Sequence, residues 1–220
     1  MSKLKQHIVS ISYDSDMEDV KDSMYITMND IDSPRKYFKG KDKSIHRMMI
    51  ATHSPLNGFL ITVRAFVEDR THTHLRTHST MSNIYFCGSS RGDLSYGKEF
   101  RDDDGVLYRY VKFKVDLKRF IEISSRRMCP SASVCTRDFW NMLADEVFKE
   151  IPELEVHAKR PCVHTGFCTE GAKNCQYTKS NSYEFERNRL IDLSQALLLD
   201  KNKKPINKQK WIDWKEKYTS

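Results

Sequence analysis

Histidine and arginine are concentrated in residues 70–93, which read RTHTHLRTHSTMSNIYFCGSSRGD. Imidazole and guanidinium groups at this density are typical of a metal site, a phosphate-binding site or a solvated helix face. Residues two apart on a helix do not face each other, so His72 and His74 cannot ligate one metal ion together. His74 and His78 have the i, i+4 spacing, but the glutamate of the HExxH zinc motif does not accompany them. The spacing argues against a zinc protease and leaves a polar helix edge as the alternative to phosphate binding.

Phosphate binding fits the later part of this segment better. Arg76 and His78 lie near the expected end of the helix, and Ser89-Ser90-Arg91-Gly92 forms a turn after a short strand. A serine hydroxyl, exposed backbone N–H groups and a guanidinium in one turn can surround a phosphate. The planar arginine fork can hold two phosphate oxygens at once. An ordinary surface loop is the alternative for this turn.

Charge and composition indicate the class of ligand and the compartment. The 220-residue chain has a formal net charge of +7 at pH 7, which favours a nucleotide, cofactor phosphates or nucleic acid, although solubility alone would also explain it. No apolar run reaches the roughly 18–20 residues of a membrane helix, and the first residues lack the apolar core of a signal peptide. We therefore expect a soluble, cytoplasmic protein with no membrane partner.

The elements that position these residues are predicted from apolar periodicity, which indicates an α+β protein with helices predominating after residue 115. Runs typical of strands cover 6–12, 59–66 and 111–115. Runs typical of helices cover 45–58 (ending in a turn), 67–79, 117–128, 133–151 and 183–199. Asp116 is expected to cap the helix after it. The apolar stripe of the helix over 133–151 is assigned to the core, and its members are Phe139, Leu143, Val147 and Ile151.

Six cysteines in a chain without a secretion signal argue against a disulfide framework. Residues 157–182 are predicted to be irregular and hold three of the cysteines. Four thiolate or imidazole ligands would suffice for tetrahedral zinc, although the spacing follows no CxxC pattern. Reduced cysteines packed in the loop are the alternative, and Cys87 and Cys135 are interpreted as packing residues. The candidate zinc ligands are Cys129, Cys162, His164, Cys168 and Cys175.

The basic tail, residues 201–220, interleaves Trp211 and Trp214 with lysines. These rings could stack the bases of single-stranded nucleic acid. We favour the other interpretation, in which the tail is a helix whose tryptophans dock on a neighbouring element or subunit.

The segment 76–91 resembles the signature of flavin-dependent thymidylate synthases. That signature reads Arg-His-Arg, two residues, Ser, one residue, Asn-Glu, one residue, Ser, one residue, Arg. Thr77 and His78 replace the second and third members of the triplet here, and Ile84 replaces the glutamate. The matching residues are Arg76, Asn83, Ser89 and Arg91.

Two further blocks in the same order resemble this family, so that the resemblance covers roughly residues 50–151. THSPLNG (52–58) resembles its His-x-Thr-Pro-x-Glu-His segment, with Asn57 in place of the glutamate. Residues 107–137 resemble its C-terminal block, in which an arginine-bearing strand leads to a helix with Arg-x-Asp-x-x-Ala-Gln. The pattern RRxC followed by a Cys-rich loop resembles divergent phage members. Residues at compatible spacings in this block are Arg109, Arg127, Ala132 and Arg137.

The resemblance implies a ligand for each matched residue. The residues implied to hold FAD are His53, Ser54, Asn57, Thr77, His78 and Arg127. The residues implied to hold the phosphate and base of the pyrimidine deoxynucleotide are Arg76, Ser89, Ser90, Arg91, Arg109 and Arg137. Of these, Arg76 and Arg137 are the implied catalytic residues.

The resemblance also implies a reaction and a fold. In this family reduced flavin delivers the one-carbon unit of methylenetetrahydrofolate to C5 of dUMP, with NADPH as reductant, and the protein supplies orientation and positive charge. Members are homotetramers with shared sites, so we expect a homo-oligomer. The implied core is a mixed or antiparallel sheet with packed helices over residues 1–156, and residues 157–220 add the Cys-rich loop, a helix and the basic tail. A phage-encoded member would work in the host cytoplasm.

The departures from the signature leave alternatives open. The substrate could be dCMP in place of dUMP, and the product could carry a hydroxymethyl group in place of methyl. A non-catalytic nucleotide- or nucleic-acid-binding protein on the same scaffold, stabilised by zinc, is the alternative from a different functional class.

Overall fold

An antiparallel sheet with helices packed on one face organises the chain. The computed structural model describes residues 5–14, 20, 41–51, 54–80, 85–87, 100–171, 175–197 and 208–218. The strands in these ranges are β1 (His7–Tyr13), β2 (Leu60–Glu68), β3 (Tyr85–Cys87), β4 (Phe100–Arg101) and β5 (Leu107–Asp116). The helices are α1 (Lys41–Ala51), α2 (Asp69–Thr80), α3 (Leu117–Arg127), α4 (Val134–Glu150), α5 (Leu154–His157), α6 (Pro161–Thr165), α7 (Asn181–Ala196) and α8 (Lys208–Tyr218). Short 3₁₀ turns cover Ser54–Gly58 and Tyr177–Lys179.

β2 and β5 form the centre of the sheet. The strand order is β1–β2–β5–β3, with β4 also paired to β5, and the pairs are antiparallel. The ladder of β2 and β5 runs from Leu60 opposite Asp116 to Glu68 opposite Tyr108. Both strands are longer than predicted, because backbone pairing joins Val67 and Glu68, expected to start a helix, to Arg109 and Tyr108, which precede the predicted start of β5.

Alternation along the strands separates an inner from an outer sheet face. Val111, Phe113 and Val115 of β5 are buried on the inner face, as the alternation predicts. Tyr110, Lys112 and Lys114 alternate with these residues and lie on the outer face. A bulge at Val9 shifts the register of β1, leaves Val9 exposed and keeps Ile8, Ile11 and Tyr13 packed against the core.

α3 and α4 cover the inner face. The predicted cap is confirmed, since the Asp116 carboxylate accepts a hydrogen bond from the Arg119 backbone N–H at 2.7 Å. Trp140 of α4 is fully buried, and its indole N–H donates to Ser124 Oγ of α3 at 2.8 Å. The predicted stripe of α4 is confirmed as core, and its buried members are Phe139, Leu143, Val147 and Ile151.

The region predicted to be irregular, 157–182, holds more helix than expected. In α6, Pro161 stands at the start of the helix, where a missing N–H is tolerated. Gly166 ends α6 with a φ of 84°, in the left-handed region that glycine favours. A helix of this length is too short to show apolar periodicity, which explains why the pattern missed it.

α8 packs on α7 and confirms the docking interpretation of the tail. Trp211 and Trp214 are only 8% and 3% exposed, and the Trp214 indole N–H donates to the Arg189 backbone oxygen at 2.9 Å. These rings belong to a second apolar cluster, distinct from the core beneath the sheet. We call it the C-terminal cluster; it consists of Val156, Val163, Leu190, Leu193, Ala196, Leu197, Trp211 and Trp214.

The architecture confirms the α+β class with an antiparallel sheet and several helices. Within the described ranges, no helix has the length and apolar character needed to cross a membrane. The fold of flavin-dependent thymidylate synthases and the division into residues 1–156 and 157–220 stay predictions.

Candidate functional site

A cleft of about 790 Å³ opens where the end of β2 meets the start of α2 and the connection between α3 and α4. The sheet and α2 form one wall and the α3–α4 connection forms the other. The lining residues are Gln6, Glu68, Arg70 and His74 on the first wall, and Arg127, Ser131, Ala132, Ser133, Val134, Cys135 and Asp138 on the second.

Polar side chains bridge the two walls. The Gln6 amide donates to the Cys135 backbone oxygen at 2.8 Å and accepts from the Glu68 backbone N–H at 3.2 Å. His74 Nδ1 lies 2.7 Å from Thr136 Oγ1 in the first turn of α4. The cleft is therefore held in shape by hydrogen bonds between its walls, as expected of a preformed binding site.

Two guanidinium groups, two carboxylates and one imidazole line this cleft. Burial lowers the pKa of His74, and Arg127 and Arg70 lower it further. Burial also lowers the pKa of Arg127, with a smaller contribution from Arg126. His74 is therefore a neutral imidazole near pH 7, and the guanidinium groups of Arg70 and Arg127 face the same cleft.

The histidines of α2 confirm the argument against joint metal binding. His72 is buried, and its ring lies edge-on to that of Phe86 with ring centroids 5.3 Å apart. His74, which lines the cleft, points instead to the buried Thr136 of α4. The two imidazoles thus leave the helix in different directions, as residues two apart must. Only the backbone of His78 is described.

Of the residues that the resemblance assigns to FAD, Arg127 lines the cleft. Thr77 lies one turn beyond His74 on α2, and its hydroxyl donates to the Thr73 backbone oxygen at 2.9 Å. Ser54 and Asn57 are exposed in the 3₁₀ turn before β2, at the opposite end of that strand from the cleft. His53 lies outside the described residues.

Of the residues assigned to the nucleotide, two arginines contact their own chain. Arg109 of β5 forms an ion pair with Asp69, the first residue of α2. Arg137 donates to the Pro130 backbone oxygen at 3.3 Å and so supports the connection that forms one wall. Arg76 is exposed on α2. Ser89, Ser90 and Arg91 lie outside the described residues.

Several lining residues were not selected from the sequence. Arg70 and His74 belong to the segment 70–93, and their i, i+4 spacing on a helix is a signal that places them together. Gln6 gives no such signal, because it bridges to Cys135 across 129 positions of sequence. Cys135, interpreted as a packing residue, lines the cleft. Cys87, interpreted in the same way, is exposed on the edge strand β3, so that interpretation is wrong.

Within the described ranges, the candidate zinc ligands around the Cys-rich loop do not converge on one point, and zinc stays a prediction. All six cysteines are free thiols. In the part of the chain that the structure describes, no three His, Cys, Asp or Glu side chains lie close enough together to hold a metal ion. Burial raises the pKa of the Cys162 thiol, which disfavours the thiolate that zinc requires. The five candidate ligands are all within the described ranges.

A second cavity, of about 470 Å³, lies beside the C-terminal cluster. The buried His46 lines it, and its Nδ1 lies 2.8 Å from Nε2 of the buried His157. The ring centroids of Trp211 and Trp214 lie 5.9 and 5.4 Å from that of His46. Burial, and to a smaller extent Arg189, lowers the pKa of His46 to about 4.

No family model and no curated protein matches the sequence. One solved structure, the UMP/dUMP methylase PolB from Streptomyces cacaoi bound with 5-Br dUMP, is similar with a TM-score of 0.49 and 13% sequence identity. The similarity covers 71% of this chain and 97% of that one. It is too weak to carry an argument about fold family or activity, so a functional conclusion has to rest on the residues of this chain.

Proposed function

We propose that the chain binds FAD and a pyrimidine deoxynucleoside monophosphate, and transfers a one-carbon unit from methylenetetrahydrofolate to C5 of the base, as in the conversion of dUMP to dTMP. One observation carries the proposal. Arg127 belongs to the C-terminal block of the family resemblance, residues 107–137. It lines the same cleft as Arg70 and His74 of α2, the helix on which the segment 76–91 begins. The C-terminal block of the resemblance thus meets, at one cleft, the helix on which the segment 76–91 begins.

The cleft suits a flavin dinucleotide in size and charge. Its volume lies within the roughly 300–1,000 Å³ typical of ligand pockets. A pyrophosphate requires cations or backbone N–H groups, and Arg127 and Arg70 supply guanidinium groups on opposite walls. When bound, reduced flavin supplies the carrier of the one-carbon unit, and NADPH supplies the reducing electrons.

The side chains that line the cleft orient the ligands and stabilise negative charge. Arg127 and Arg70 hold phosphate or pyrimidine oxygens and stabilise negative charge that develops on the base. His74, neutral and hydrogen-bonded to Thr136, offers its other ring nitrogen at a fixed angle to a ligand. Gln6 keeps the two walls at a fixed separation. No side-chain nucleophile is required.

Ser54 and Asn57 can take part only if a second copy of the chain brings them. They precede the nine-residue β2, whereas the cleft lies at its far end, about 30 Å away. This separation supports the homo-oligomer that the resemblance implies. Co-expression of two inactive variants, Arg127→Ala and Asn57→Ala, should restore part of the activity if sites are shared between subunits. Two variants that remain inactive together would place the complete site in one chain.

The visible absorbance spectrum of the purified protein, before and after addition of FAD, tests the proposal. A bound-flavin spectrum that bleaches with NADPH is expected. Conversion of dUMP should then follow when methylenetetrahydrofolate is added, with dCMP assayed in parallel to identify the base. A colourless protein that does not bind FAD would refute the enzyme and leave the non-catalytic nucleotide-binding alternative.

Adjacent arginines of α3 provide a matched control for the placement of the site. Arg127→Ala should weaken FAD binding at least about tenfold, because hydrogen bonds to charged groups contribute about 1.5–3 kcal/mol. Arg126→Ala removes the same charge one residue earlier, from an exposed side chain, and should have a much smaller effect. Equal losses in the two variants would show that net charge, and not the cleft, determines affinity.

A further inference from the structure

The outer face of the sheet carries an aromatic row across three strands. His7, Phe66 and Tyr110 are directly opposite one another on β1, β2 and β5. The His7 and Phe66 rings are stacked at 5.4 Å with an interplanar angle of 9°, and the Tyr110 ring centroid lies 5.5 Å from that of Phe66. Phe100 of β4 adds an edge-on ring at 5.1 Å from Phe66. Tyr110 and Phe100 remain 47% and 41% exposed, which is unusual for such a cluster.

A basic row runs beside the aromatic one. Arg64 and Lys112 are directly opposite each other on β2 and β5, two residues along from Phe66 and Tyr110. Two residues of a strand span about 7 Å, so the two rows are adjacent. Like charges directly opposite each other destabilise a sheet, and such a pair is expected where a ligand provides the counter-charge.

We infer that this outer face, defined by His7, Arg64, Phe66, Tyr110 and Lys112, binds single-stranded nucleic acid. Unstacked bases lie on exposed aromatic rings whatever their sequence, and the phosphates beside them pair with cations. A row of rings next to a row of cations provides both contacts in parallel. The inference is independent of the proposed function, because none of the five residues lines the cleft.

Charge favours nucleic acid over a second copy of the chain as the occupant. In a two-fold contact the same patch meets itself, so that Arg64 and Lys112 would face the same cations of the partner. A phosphate backbone instead neutralises both. The net charge of +7 also favours a polyanion over a basic protein surface.

Fluorescence anisotropy of the full chain with a labelled oligodeoxythymidylate of about 15 nucleotides tests the inference, since sites of this kind cover about 4–16 nucleotides. Tyr110→Ala should weaken binding about tenfold, the range expected for one stacked base. Tyr110→Phe keeps the ring and should keep the affinity. The matched control is Phe167→Ala, which removes an aromatic residue that is 63% exposed on the other part of the chain.

The basic row is tested by salt dependence. Lys112→Gln should reduce the slope of log affinity against log salt by about 0.7, the value for one phosphate contact to a single strand. Lys149→Gln, an exposed lysine of α4, is the control and should leave the slope unchanged. An oligouridylate measured in parallel tells whether DNA or RNA binds more tightly, and tight binding of either supports the inference.

Three results would overturn it. The first is a failed binding test: either the parent protein does not bind the oligonucleotide at low salt, or Tyr110→Ala and Phe167→Ala lose the same amount of affinity. The second is displacement of the oligonucleotide by free dUMP, which would place it in the cleft. The third is a parent protein that does not bind the oligonucleotide together with a Tyr110→Ala variant whose oligomeric state, measured by sedimentation, has changed. That result would make this face a contact between copies of the chain. Circular dichroism of each variant verifies the fold.

Discussion

The cleft and the region around the C-terminal cluster both place histidines beside arginines, but they balance charge differently. Near the C-terminal cluster, Arg189 pairs with Glu155 at 3.1 Å and Lys159 pairs with Glu186 at 3.1 Å. In the cleft, burial and then Arg126 lower the pKa of Arg127, and burial, Arg127 and Arg70 lower that of His74, although two carboxylates also line it. One region joins its cations to carboxylates as ion pairs, and the other presents two guanidinium groups from facing walls of one cleft.

This difference indicates which region is built for a ligand. Guanidinium groups on facing walls of a cleft can contact one anion together through charge-assisted hydrogen bonds. Paired charges around a buried aromatic cluster, by contrast, contribute to structure. The comparison assigns binding to the cleft and docking of α8 to the C-terminal cluster, and each assignment can be tested by perturbing one region while the other is monitored.

Acidification should give the largest difference between the two regions, because it should unfold the C-terminal cluster first. The pKa of His46 is about 4 when folded and 6.5 when unfolded, so the unfolded chain binds the extra proton between these values. Stability is complete above about pH 6.5 and is lost as the pH falls towards about 4, by about 3 kcal/mol from His46 alone. Burial also lowers the pKa of His157, which adds to the loss.

Urea denaturation at several pH values, followed by tryptophan fluorescence in a Trp140→Phe background, measures this effect, because only the two tryptophans of α8 then report. His46→Gln keeps a hydrogen-bonding partner for His157 but does not titrate, so its stability should depend less steeply on pH. An unchanged slope in His46→Gln would show that other groups are responsible.

Removing a counter-charge sharpens the comparison on the C-terminal side. Glu155→Gln leaves the buried Arg189 guanidinium without its carboxylate partner. We expect a loss of about 2 kcal/mol, less than for a fully buried pair because Glu155 is partly exposed. Glu153→Gln, which removes a carboxylate lining the same cavity, is the control and should change the free energy of unfolding by less than about 0.5 kcal/mol. Similar losses in both variants would contradict the role of this ion pair.

Removing a cation from the cleft should lower ligand affinity more than stability, the reverse of the effect of Glu155→Gln. Arg70→Gln should leave the free energy of unfolding within about 0.5 kcal/mol of the parent, because the side chain is exposed and lies among other cations. Affinity for FAD or dUMP should fall about tenfold. Isothermal titration and chemical denaturation of the same sample measure both quantities. A destabilised variant with unchanged affinity would reverse the assignment of the two regions.

The smallest effect is expected from the bridge between the cleft walls. Thr136→Val keeps the buried shape but removes the hydroxyl that meets His74. The loss should be about 1 kcal/mol or less, since water can reach the partly exposed imidazole. Nitrogen chemical shifts of His74 should show a changed tautomer balance. Identical shifts in parent and variant would mean that Thr136 does not orient the ring.

Sequence reasoning succeeded where the signal is local. The alternation of β5, the apolar stripe of α4 and the cap at Asp116 each depend on residues within a few positions of one another, and each is confirmed. The α6 helix was missed because capping by Pro161 and Gly166, without apolar periodicity, defines it.

The site could be predicted only in part, because an arginine's type does not reveal its partner. Arg127 lines the cleft, whereas Arg109 pairs with Asp69 and Arg137 with the Pro130 carbonyl. Gln6 reaches the cleft through tertiary packing alone. The assignments of FAD, NADPH and methylenetetrahydrofolate stay predictions, as does the tetramer.

The pairing of β2 with β5 also determines when each strand can find its partner during translation. β1 and β2 can associate as soon as Glu68 has left the ribosome, but β2 keeps an unpaired edge until the chain is made as far as Asp116. An exposed edge of apolar residues invites pairing with another nascent chain. Arg64, close to the middle of β2, places a charge on that edge strand throughout the interval. The arginine would thus limit aggregation during translation, before the outer face of the sheet exists.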